Sequence, residues 1–250
     1  IDARHLRRRQ GADPRLQALA EDLNRHYRNA NMRVAFSGEL MNRMIPPQEV
    51  RKAPVRSRIV GADVRGRSET ETQVHVRLIP DAMVWRFGLE AVGNVNSHTV
   101  SETWPAKLRN RSTMEYEARK LIMINRFGLH AWPAEAQADG RTSLVGIDSG
   151  FSSVPILGTI VENVAREQHQ QNRGQAVAQV KSRVKKEARE RMDAETEPKL
   201  ASFESRFREH VLEPMGRFAI VAEPVDMSTT EDRVQARLRL ATEQHLGAHT

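Results

Sequence analysis

The chain has 250 residues, with 39 Lys+Arg against 32 Asp+Glu for a formal charge of +7, and it contains no cysteine. The missing thiols exclude a disulfide scaffold, a thiolate zinc site, an iron–sulfur cluster and a cysteine nucleophile. No apolar run approaches the ~18 residues that a membrane-spanning helix needs.

The charge is unevenly spread. Residues 1–67 hold 15 Lys+Arg and 7 Asp+Glu, a net of +8, whereas residues 68–250 hold 24 and 25, a net of −1. Arginine outnumbers lysine 32 to 7, and its planar fork suits phosphate and carboxylate. Arg7, Arg8, Arg9, Arg25, Arg28, Arg51, Lys52, Arg56 and Arg58 are therefore the side chains expected to meet an anionic surface. A merely solvated basic face is the plainer alternative. Beginning at Ile1, the chain reads as a processed piece whose signal peptide or anchor would lie upstream.

Asp13-Pro14 is a helix start, with Asp as N-cap and Pro at the first helical position. Leu16, Leu19, Ala20, Leu23 and Tyr27 then recur at helical spacing. A short strand over 32–36 and a helical turn or two over 39–45 follow, ended by Pro46-Pro47. From Val55 to about Ala138 the period changes from 3.6 to 2. Val74, Val76 and Leu78 alternate with polar neighbours, as do Trp85, Phe87, Leu89 and Ala91, and Pro80-Asp81 between them predicts an antiparallel hairpin. Gly93-Asn94, Asn96-Ser97 and Trp104-Pro105 punctuate the pattern. Met114, Tyr116, Ala118, Ile122 and Ile124 fit a further strand with Lys120 as the exception, although a helix fits nearly as well. Leu129 to Ala138 suggests one more strand, interrupted at Pro133.

After Phe151 the texture is helical. A first apolar run at 156–164 is expected to fray near 168–174, and a second stripe through Val177, Val180, Val184, Ala188 and Met192 is punctuated by Pro198. A third stripe, Leu200, Phe203, Phe207 and Val211, ends before Pro214. Strands return at 218–222 and 234–240, the latter alternating Val234, Ala236, Leu238 and Leu240 with arginines expected to face water.

Catalytic signatures are sparse. Neither G-x-x-x-x-G-K-[ST] nor G-x-G-x-x-G is present. Gly146-Ile147-Asp148-Ser149-Gly150 places its serine one position off a nucleophile elbow and reads better as a turn. Of nine histidines only His245 and His249 have a ligand-like i,i+4 spacing, and Leu246-Gly247 between them argues against a rigid helix. No catalytic residue, metal site or cofactor is assigned. Residues 1–67 offer only Tyr27 and Phe36 as aromatics among their cations, so sequence-specific nucleic acid is not the expected partner.

The segments Val76-Arg77-Leu78-Ile79-Pro80-Asp81, Gly88-Leu89-Glu90-Ala91-Val92-Gly93 and Val164-Ala165-Arg166-Glu167-Gln168-His169 resemble a family of uncharacterised planctomycete envelope-type proteins. That resemblance covers about 23–250 and implies an exported, periplasmic or otherwise extracytoplasmic bacterial protein. More remotely, the element order resembles tubular lipid-binding (TULIP-like) domains, in which a curved sheet wraps a long helix.

The expected fold is α+β: a curved, largely antiparallel β-sheet meander packed on long amphipathic α-helices, in one domain over 1–250. Its parts are a basic helical N-terminal part (1–54), the β-meander (55–150), the long helices (151–216) and returning strands (217–250), all sharing one sheet. The expected function is non-enzymatic binding of a lipid or other amphiphile in an apolar interior lined by Val74, Val76, Leu78, Trp85, Phe87, Leu89, Val177, Val180 and Val184. Alternatives are a structural or assembly module that meets other envelope proteins, and a hydrolase.

Overall fold

The computed structural model describes residues 15, 30–103, 106–149 and 155–242. The helix expected over 13–28 lies, apart from Arg15, outside them. The α+β class is observed: a strongly curled antiparallel sheet forms a half-barrel against one long helix.

Two sheets are present among the described residues, where one was expected. The smaller has the order β1-β9-β8, built from β1 (Met32–Ser37), β8 (Val221–Thr229) and β9 (Arg233–Ala241). Between β1 and the large sheet lies α1 (Gly38–Arg43), N-capped by Ser37, whose hydroxyl accepts from the Leu40 amide. The larger sheet runs β2 (Arg51–Ile59), β3 (Ala62–Leu78), β4 (Trp85–Thr103) and β5 (Ala106–Asn125) as a meander. Both β6 (Gly128–Ala131) and β7 (Glu135–Ser149) then pair with the far edge of β5.

The returning strands form their own sheet because the register of β8 and β9 is satisfied by β1, and only point contacts bolt them to β4. Thr229 bridges to Asp81, and its hydroxyl donates to Val84 O at 2.8 Å while accepting from the Arg86 amide at 2.8 Å. Trp85 donates Nε1–H to Gln235 O at 2.7 Å, and its ring meets Phe36 edge-on at 6.0 Å.

Strands of 17, 19 and 20 residues (β3, β4, β5) make up the strongly curled sheet. On the inside of a curled sheet Cβ positions converge, and glycine relieves the crowding. A Cβ on Gly66 would lie 2.0 Å from His98 O, and one on Gly93 would lie 2.4 Å from Glu71 O and 2.6 Å from the Tyr116 ring. This is why β4 runs unbroken through Gly93-Asn94 and Asn96-Ser97, where punctuation was expected. Tyr116 crosses the space left by Gly93 and hydrogen-bonds Thr72 at 2.6 Å.

The segment 114–124 is strand, and Lys120 occupies an inward position of β5. Leu129–Ala138 divides into β6 and β7 at Pro133. The expected breaks near 168–174 and at Pro198 are absent, since α2 (Pro155–Phe207) continues through both for 53 residues. Proline costs a helix interior about 3 kcal/mol, and the turn preceding Pro198 is anchored on the sheet's inner face through Ala188, Met192 and Asp193. A π turn, Arg208–Leu212, and the short α3 (Glu213–Arg217) end this segment. Beyond the sheet Phe203, Phe207, Val211 and Leu212 stay exposed, with the two phenyl rings stacked at 6.3 Å.

The alternation read for β9 holds at Val234 and Ala236, but Arg239 is buried at 6% exposure rather than facing water.

Candidate functional site: the cavity under the long helix

The inner face of the large sheet is not uniform. At the end holding Val74, Ala91, Ala118, Ala134 and Ala136 it closes on Met192 and Ala188 of α2, a packed apolar cluster. Lys120, 2% exposed, sits beside it and is ion-paired with Asp193, whose carboxylate also accepts from the Ala134 amide at 2.9 Å. The helix is thus clamped to the sheet at 188–193.

Toward its N-terminal end α2 crosses the mouth of the half-barrel. Gln179 Oε1 accepts from the Val60 amide at 3.0 Å at the β2–β3 turn, Lys181 is ion-paired with Asp139 on β7, and Arg183 donates to Arg56 O at 3.4 Å. These contacts reach both rims of the half-barrel, so the helix bridges them and a space remains beneath. That cavity has a volume of about 700 Å³, within the ~300–1,000 Å³ range of ligand pockets.

Its roof is the helical stripe Ala165, His169, Asn172, Ala176, Val180, Val184 and Ala188, at steps of three and four. Its floor is built from small side chains. Eight serines and threonines line it, Ser57, Ser97, Thr99, Ser101 and Ser112 among them, beside Val55, Ile59, Val64, Val95 and Leu108. Ser57 Oγ and Asn110 Oδ1 are buried against it without a hydrogen-bond partner, a situation that costs about 1–3 kcal/mol per group unless a partner arrives. Arg51, Arg183, Glu187, Glu190 and Arg191 border the opening. Arg183 is paired with Glu187 at 2.9 Å and Arg191 with Glu195 at 2.6 Å, while Lys186 approaches Glu190 at 3.7 Å. His169 is the roof's titratable group. Burial pushes its pKa down, and the nearby Arg173 adds to that.

Of the nine residues expected to line an apolar interior, Val180 and Val184 face the cavity. Val177 is half-buried on α2, off the lining stripe. The six sheet residues occupy the opposite end of the same face. Val74 joins the packed cluster, and Leu78 is buried where α1 approaches, a Cβ on Gly38 falling 3.3 Å from it. The Val76 amide and carbonyl are both taken by the Asn42 side chain. Phe87 and Leu89 are registered against Leu78 and Val76, and Trp85 is held by Gln235. The lining is therefore mixed rather than apolar.

Among the basic residues, Arg7, Arg8, Arg9, Arg25 and Arg28 lie outside the described residues. Arg51 borders the cavity, Lys52 is paired with Glu69 at 3.1 Å, and Arg56 and Arg58 are exposed on the outer face. Asp148, weighed as part of a hydrolytic site, is ion-paired with Arg109 at 3.1 Å. Among the described residues there is no group of three or more His, Asp or Glu fit to hold a metal ion, and no helix long and apolar enough to cross a membrane.

No protein-family model and no curated protein matches the chain. The planctomycete resemblance therefore stands on segments 76–81, 88–93 and 164–169 alone. Among solved structures the chain is similar to a lipopolysaccharide binding protein, at 10% identity and a TM-score of 0.29, over 85% of this chain and 50% of that one. The chain thus spans half the length of that structure.

Proposed function

We propose that the protein is a non-enzymatic binder of one lipid or other amphiphile, held in the cavity between the inner sheet face and α2. The observation that carries this reading is a cavity of about 700 Å³ whose lining combines aliphatic side chains with eight serine and threonine hydroxyls, and in which Ser57 Oγ and Asn110 Oδ1 are buried without a partner. A purely hydrocarbon guest would leave Ser57 Oγ and Asn110 Oδ1 unsatisfied, whereas a guest with hydroxyl or amide groups along its length supplies them with hydrogen bonds. Arg51, the border cation without an ion pair among the described residues, suits an anionic headgroup. We place this function in an extracytoplasmic compartment on the resemblance of the three segments.

Uptake of a fluorescent acyl probe tests the reading. The protein should take up one probe per chain, and Val180→Trp, which fills the roof, should abolish uptake while leaving the far-UV spectrum unchanged. Equal uptake by Val180→Trp, or none by the parent, sinks it.

The exposed Phe203, Phe207 and Val211 favour an assembly module as the second reading. Sedimentation of the parent and of Phe203→Ser would separate the two, since a strict monomer contradicts assembly through that stripe.

A further inference from the structure

The outer face of the large sheet, back to back with the cavity, carries a grid of cations that the strand register makes explicit. Arg56 on β2 stands opposite Arg65 on β3, and in the same row Val100 of β4 is opposite Arg109 of β5. One row on, Arg67 of β3 is opposite His98 of β4, which is opposite Arg111 of β5. Adjacent strands lie ~4.8 Å apart, and like charges placed directly opposite each other disfavour the sheet.

The five arginines and His98 are all exposed. Arg109 is the one held by an acid, Asp148 at 3.1 Å. Arg56, Arg65, Arg67 and Arg111 have no side-chain ion pair among the described residues. The flanking rows are balanced instead. Lys52 is paired with Glu69, and Lys107 approaches Glu102 at 3.6 Å in the row that also holds Arg58 and Asp63. The two arginine-rich rows, in which Asp148 offsets Arg109 alone, thus form one bounded patch spread over a sheet face and not along a groove.

We infer that this patch docks the protein on an anionic lipid bilayer, the arginine forks meeting phosphate headgroups. Four guanidinium groups without an ion pair among the described residues give this face a local excess of positive charge that complements anionic headgroups. Single-stranded nucleic acid fits less well, because among the described residues no aromatic side chain interleaves the arginines to stack a base. The inference is independent of what occupies the cavity, since its residues all point away from it.

Vesicle co-sedimentation of the full chain tests this. Vesicles containing an anionic phospholipid should bind the protein, and purely zwitterionic ones should not. Each arginine near such a surface is worth roughly a fivefold change in partitioning, so R67Q/R111Q should weaken binding roughly 30-fold. R233Q/R237Q, the same loss of charge on the exposed face of the small sheet, should change it less than about twofold by the same rule. Neither variant should melt below the parent, because the replaced side chains are exposed.

Equal binding to zwitterionic vesicles overturns the inference. So does an equal loss in both double variants, which would mean that only net charge matters. Tighter binding of a single-stranded oligonucleotide than of anionic vesicles at the same salt would reassign the patch to nucleic acid. Uptake of the acyl probe is read separately, so failure of docking and failure of the cavity reading remain distinguishable.

Discussion

Lys120 of β5, 2% exposed, is ion-paired with Asp193 of the long helix, and this contact clamps the helix to the sheet at the closed end of the cavity. A buried cation left alone is costly, and breaking such pairs typically destabilises by ~3–5 kcal/mol. Because Asp193 keeps 24% exposure and Glu197 still approaches Lys120 at 3.9 Å, Asp193→Ala is expected near the lower end, about 3 kcal/mol. Lys120→Met places an apolar side chain beside the Ala118 cluster and frees an acid that can still reach water, so it should cost clearly less. Equilibrium denaturation in urea of the two variants checks the order.

Gly93 lies on the inside of the curl, where a Cβ would meet a backbone carbonyl that cannot yield. Gly93→Ala is expected to destabilise by about 1–3 kcal/mol, as overpacked sites do. The Tyr116–Thr72 hydrogen bond should be disturbed with it, and tyrosine fluorescence and the melting temperature read both effects.

Much of the architecture was legible from these strands, and the site was not. The alternation at 74–78, 85–91 and 234–240 announced half-buried strands and their antiparallel pairing. The large side chains there were read as a pocket, but large apolar residues fill space and so mark packed ends. The cavity formed where the chain offers mostly serine, threonine, alanine and valine, which pack too little volume to fill the half-barrel. Lys120 broke an apolar period because its partner, Asp193, is 73 residues away, a distance no local pattern encodes. The patch of Arg65, Arg67, His98, Arg109 and Arg111 was equally hidden, because it exists only in the cross-strand register of three long strands.

Glu90 on the outer face is 5% exposed. Burial by itself would raise its carboxyl, but the bond from Arg77 at 2.6 Å, the His75 contact at 2.9 Å and the charge of Arg119 hold it below the usual carboxylate range. A depressed acid contributes stability above its unfolded value of ~4.3 and loses it as pH falls through the folded one. Glu90→Gln is therefore expected to cost about 1.5 kcal/mol at neutral pH, the lower end for bonds to a charged group since Arg77 is half-exposed. The gap between parent and variant should close below pH ~4, measured by denaturation across a pH series.

His169 in the cavity roof also loses stability as pH falls, but because burial disfavours its charged form. Its burial, with Arg173 nearby, lowers its folded pKa. The unfolded chain then binds a proton first, so stability is complete above pH ~6.5 and declines as pH falls below it. The variant His169→Gln should lack that decline, and an NMR titration of the imidazole should give a midpoint below the free value.

The central claim, that the cavity holds an amphiphile, is tested most directly by native mass spectrometry of the protein purified without detergent after incubation with a total lipid extract. One lipid-sized adduct per chain, released on denaturation and absent from Val180→Trp, is the expected result. A spectrum showing only the bare chain mass under conditions that preserve the fold, or the same adduct on Val180→Trp, would contradict it.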